Sequence, residues 1–127
     1  MRFPYPRFPA EFEIPDEWWN EAGMAEFNRN SPAYRSKEAA GLIRLSDIEP
    51  PFRFRAHELS FRGFNRERLI AVLRGIATGD DIPPVPLKTI LTDDELLGPP
   101  FRYRVRDGYH RYYASVAVGF EFLPYIS

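Results

Sequence analysis

Apolar and charged residues alternate strictly between positions 101 and 106: Phe101, Tyr103 and Val105 against Arg102, Arg104 and Arg106. A period of two predicts a strand with one face on a core and a cationic face in water. The helical period appears in 66–77, where Leu69, Val72, Leu73 and Ile76 fall at i, i+3, i+4 and i+7. Asn65 is placed to cap that helix and Gly79 to end it. A second helix is expected over 110–118, after a turn at Asp107-Gly108 and before Gly119 as its C′ residue. Segments 41–45, 82–87 (Val85 and Leu87 on one face) and 122–126 read as strands or extended chain, and Phe52-Arg53-Phe54-Arg55 alternates as a half-buried strand would. Residues 46–51 read as a turn, and 92–100 as a capped turn or short helix in a solvent loop. The pattern predicts an α+β (mixed α/β) domain over 41–127.

Residues 1–40 follow a different pattern. Proline restriction extends Phe3–Pro9. A short helix is expected next, with Asp16 as N-cap and Gly23 as stop. Phe12, Ile14, Trp18, Trp19, Met24 and Phe27 are too many large apolar groups for a free tail. They predict an N-terminal arm that packs over the core, or a surface for a protein partner or homodimer with Trp18 and Trp19 as anchors.

Composition narrows the chemistry. The 127 residues include 13 prolines and 16% aromatics, which implies many fixed turns and a few large rings filling the core. With no cysteine, disulfides, thiolate metal sites and cysteine nucleophiles are excluded. The two histidines, His57 and His110, do not make a usual transition-metal site alone. Net charge is −1, which argues against a nucleic-acid-binding block even though 15 of the 17 basic residues are arginine. Arginine suits planar, bidentate recognition of carboxylate and phosphate, and a GC-rich genome favours it too. No stretch approaches the roughly 20 apolar residues of a membrane span. The opening Met1–Pro6 lacks a signal peptide's apolar core, so a cytoplasmic protein is expected.

The run Val105-Arg106-Asp107-Gly108-Tyr109-His110-Arg111-Tyr112-Tyr113-Ala114, followed by Gly119 and Leu123-Pro124, orders a strand, a glycine turn, a His-Arg pair, a helix and an apolar-Pro strand start. It resembles the signature shared by ParB amino-terminal domains and sulfiredoxin. Leu45-Ser46-Asp47-Ile48, the 66–77 helix and Ile82-Pro83-Pro84-Val85 occur in the family's order, so the resemblance spans about 41–126. It implies a small mixed sheet with helices and a phosphate cradle. By position, Gly108, Tyr109, His110 and Arg111 would contact a nucleotide's phosphates, with Arg68 as a further basic residue. The physics agrees: a helix's first turn exposes unpaired N–H groups and a partial positive charge, and a glycine lets a phosphate come close. Each residue also has a plainer role: Gly108 supplying positive φ, Arg111 paired with Asp107, His110 on the surface at the helix start, and Tyr109, Tyr112 and Tyr113 packing.

The chain departs from the family in two ways. Tyr109 stands where sulfiredoxin has its cysteine, so sulfinic acid reduction as that family performs it is excluded. The sequence ends at Ser127 without ParB's DNA-reading and dimerisation domains. The resemblance therefore implies binding of ATP or another nucleotide, with magnesium, in a phosphotransferase or nucleotide hydrolase of open substrate. Asp47, Glu49 and Glu58 are the candidate acids. The competing expectation is a non-catalytic interaction module using the aromatic arm.

Overall fold

The computed structural model describes residues 1–53, 61–90 and 101–127. The predicted 92–100 loop, and the 54–55 half of the 52–55 alternation, lie outside them.

The arm opens with a two-stranded hairpin, β1 (Arg2–Pro4) against β2 (Glu11–Glu13), in the register Phe3↔Phe12. Helix α1 (Asp16–Glu21) and a 3-10 turn (Met24–Glu26) follow. The expected Asp16 cap is corrected. Pro15 occupies the N-cap, and Asp16 is the first helical residue. Its carboxylate instead accepts from the Met1 ammonium at 2.6 Å, which ties the chain's start to the helix. Gly23 ends α1 with φ 82°.

The remaining strands form one mixed sheet in the order β3 (Gly41–Arg44), β7 (Phe122–Ile126), β5 (Val85–Thr89), β6 (Tyr103–Val105), β4 (Ile48–Glu49). Pairs β3–β7 and β5–β6 are antiparallel; β5–β7 and β4–β6 are parallel. The turn expected at 46–51 is a 3-10 turn (Leu45–Asp47) leading into β4. Ile48 is fully buried and pairs with Tyr103 of β6, which makes the segment a strand. Pro50 and Pro51, lacking N–H donors, limit it to a short edge. Along β6 and its flanks Phe101, Tyr103 and Val105 are half-buried, while Arg102, Arg104 and Arg106 are exposed, as the alternation predicts.

Helices α2 (Arg66–Thr78) and α3 (Tyr109–Val118) pack on each other, α1 packs on α2, and β1 on α3. Asn65 accepts from the Arg68 N–H at 3.0 Å, and Gly79 closes α2 with φ 74°. The arm is integral to the interior. Phe12, Ile14, Trp18 and Met24 are buried in one cluster with Leu69, Leu73, Tyr112, Tyr113 and Leu123. Trp18 is buried with its ring 6.0 Å from Phe61, and half-buried Trp19 lies 5.1 Å from Phe3. The large apolar side chains that the arm does expose are Met1 and Phe8.

Candidate functional site

Between β6 and α3 the chain turns through Gly108, whose φ of 84° is the left-handed conformation the motif requires. A Cβ at this position would run into the Arg111 guanidinium, which folds back over the glycine. The Asp107 carboxylate accepts from the Gly108 N–H at 2.8 Å. It does not pair with Arg111. The Arg111 Nη1 donates to the carbonyls of Pro83 (3.1 Å) and Pro84 (2.7 Å) instead. Tyr34 also donates to the Pro83 carbonyl, at 2.8 Å. The proline segment before β5 cannot offer its own N–H groups, so it is anchored to α3 through its carbonyls.

Tyr109 and His110 hold a second segment. Phe61 and Phe64 exchange backbone hydrogen bonds at 3.0 and 2.8 Å around Arg62 (φ 48°) and Gly63 (φ 90°). Two consecutive positive φ values are the pattern of a type I′ turn. The Tyr109 hydroxyl donates to the Gly63 carbonyl at 2.8 Å. The Nε2 of His110 accepts the Asn65 N–H at 2.9 Å. His110 is therefore buried rather than a surface residue, and its proton sits on Nδ1. Burial, with the Arg68 charge adding to it, pushes its pKa down to about 4.

This shift has a testable sign. The unfolded histidine binds a proton below about pH 6.5, whereas the folded one refuses it down to about 4. Stability should be complete above pH 6.5 and fall by about 3 kcal/mol as the pH drops to about 4. In His110→Gln, whose amide oxygen can take the Asn65 N–H, the slope of Tm against pH should flatten. An unchanged slope would show that another group carries it.

The Asn65–His110 bond brings the starts of α2 and α3 together. Helix α3 has no side-chain cap and no acid in its first turn. Exposed Arg68 places its charge on both Tyr109 and His110. Its side chain takes no ion pair and no hydrogen bond among the described residues. The uncapped start of α3, the start of α2 with its Asn65 cap and Glu67 in the first turn, and the Arg68 guanidinium, without a partner among the described residues, therefore share one corner.

The chain has no significant match among family models, curated proteins or solved structures.

The structure thus joins all five residues singled out by sequence, Gly108 to Arg111 and Arg68, around one junction. Three of their side chains, however, are already bonded within the chain. The candidate acids fall elsewhere. Asp47 lies 3.8 Å from Arg7, and Glu49 accepts from Arg104 at 2.7 Å; Glu58 is outside the described residues. Sequence reading missed the turn at 61–64. Its signal was Arg62-Gly63 between two phenylalanines, a glycine where a tight hairpin wants positive φ.

Proposed function

We propose that the chain binds the phosphate of a nucleotide-type ligand where the first turns of α2 and α3 meet, consistent with its resemblance to ParB amino-terminal domains and sulfiredoxin. The observation that supports this reading is the uncapped start of α3 beside the start of α2, with Arg68 next to both and without a partner among the described residues. The backbone amides of the first turns are the donors, since a helix's first N–H groups have no partner of their own. Arg68 is the mobile cation, and arginine can clasp two phosphate oxygens. Tyr109, His110 and Arg111 act as positioning residues, holding the Phe61–Asn65 turn and the Pro83–Pro84 carbonyls so that the amides point outward together.

No group of three His, Cys, Asp or Glu that could hold a metal occurs among the described residues. In this reading magnesium enters on the nucleotide's phosphates rather than on a cage of carboxylates. Asp47 and Glu49 are turned to arginines, so neither stands free as the base that phosphotransfer to a hydroxyl needs. Binding is therefore the function proposed, in a protein with no membrane-spanning helix among its described residues.

The test is a thermal-shift screen with inorganic phosphate and with ATP, ADP, CTP and GTP, each with and without magnesium. A ligand at 100 times its Kd should add about 2.7 kcal/mol of stability. The gain should disappear in Arg68→Ala, an exposed change that leaves the fold intact. Arg111→Ala is the poorer probe because it also strips the Pro84 carbonyl of its donor and leaves Pro83 with Tyr34 alone. No shift with any ligand, or an equal shift in Arg68→Ala, overturns the reading.

A further inference from the structure

A cavity of about 740 Å³ opens beside the arm hairpin. Among the described residues its walls include Tyr5, Phe8, Phe52, Arg53, Phe101 and Tyr113. They come from the arm hairpin, the exit of β4, the entry to β6 and the middle of α3. The volume suits a ligand of several rings. Phe52 leaves 84% of its surface and Phe8 50% exposed at this site. Large rings held in water beside an apolar hollow are what a ligand would cover.

The floor carries one positive charge. The Arg53 guanidinium lies 4.8 Å from the centre of the Phe64 ring and 5.3 Å from that of Tyr113. Its Nη1 is buried and has no hydrogen-bond partner among the described residues. A buried charged donor without an acceptor is rare, because the group has lost water and gained nothing in exchange. The aromatic faces hold the cation in place at the cavity wall. The backbone fixes it too: Gly63 packs so closely that a Cβ there would sit 2.5 Å from the Arg53 Cβ. The other charges at the cavity are already engaged. Glu49 accepts from Arg104 at 2.7 Å, and Arg62 lies 3.8 Å from Glu13.

We propose that this cavity binds a small aromatic carboxylate, with the ring system among Tyr5, Phe8, Phe52 and Phe101 and the carboxylate on Arg53. One guanidinium matches one carboxylate in charge and in its two-oxygen geometry. A phosphate dianion would leave a negative charge uncompensated in these apolar walls. Its anchor is Arg53 rather than Arg68, so the proposal does not rest on phosphate binding.

The experiment is calorimetric titration of the purified protein with 2-naphthoate, with uncharged 2-naphthamide and with the carboxy-terminal peptide Gly-Gly-Phe. Naphthoate should bind with a Kd below 1 mM, at least tenfold tighter than naphthamide (about 1.4 kcal/mol), and tighter than the peptide. Arg53→Gln should abolish that preference. Arg68→Ala should leave naphthoate binding unchanged, which separates this site from the phosphate corner. Should Arg53→Gln fail to fold, the acid–amide comparison on the wild type still decides. Equal binding of acid and amide, no binding of either at millimolar concentration, or full binding by folded Arg53→Gln overturns the proposal. Tighter binding of the peptide overturns the small-molecule assignment.

Discussion

Phe12→Ala should lower the stability of the chain by about 3–5 kcal/mol, read as a fall in the urea midpoint at unchanged slope. Phe12 comes from the three-residue strand β2, yet its ring has four aromatic neighbours. Tyr113 lies at 4.9 Å, Tyr5 at 5.3 Å, Phe3 at 5.6 Å and Phe64 at 6.2 Å, two of the contacts edge-to-face. Removing it opens a cavity where the arm, α3 and the 61–64 turn meet, and rings fixed on three elements cannot collapse into it. The Tyr113 hydroxyl donates to the Pro51 carbonyl at 2.7 Å, so the Tyr5 hydroxyl, 3.3 Å away, must be the donor in their contact. Burial raises the Tyr113 pKa, so the phenol stays protonated. A loss under 1 kcal/mol would mean that the arm is a cover rather than part of the core.

Gly63→Ala is the second large effect, at about 2–4 kcal/mol. An alanine at φ 90° is strained, and its Cβ would meet Arg53 at 2.5 Å from the Cβ and 3.1 Å from the backbone carbon. Neither neighbour is the far end of a flexible chain, so the turn itself must move. That movement carries away the Gly63 carbonyl that holds Tyr109 and tilts the Asn65 N–H held by His110. The variant should melt about 10 °C lower and lose phosphate protection together with stability. Gly108→Ala, whose obstacle is only the movable Arg111 guanidinium, should be the milder of the two. If Gly63→Ala melts within a degree or two of the wild type, the turn does not hold the α2–α3 corner.

Local rules made the two main helices and the 101–106 strand legible. Asn65, Gly79 and Gly119 each do at the helix ends what capping chemistry demands, and Val85 and Leu87 share a buried face as their alternation implies. The arm hairpin was not legible. Its strands are three residues long, interrupted by proline, and are made by pairing and by burial of Phe12 rather than by periodicity. Strand β4 was hidden for a similar reason: two residues before a pair of prolines look like a turn until parallel pairing with β6 is seen.

At the candidate site the glycine turn and its neighbours could be named from their spacing. The direction of the side chains could not. His110 could have faced a ligand or the interior, and only the position of Asn65 shows that it faces the interior. Arg53 was one half of an alternating Arg pair in the sequence. Its two ring contacts depend on Phe64 and Tyr113, which arrive from distant parts of the chain.

The central claim is tested most directly by following the backbone amides in ¹H–¹⁵N spectra while ATP and magnesium are titrated in. The account predicts the largest shifts at Arg66, Glu67, Tyr109 and His110, saturating together and vanishing in Arg68→Ala. Shifts absent from those four amides, or confined to the walls of the Arg53 cavity, would contradict it.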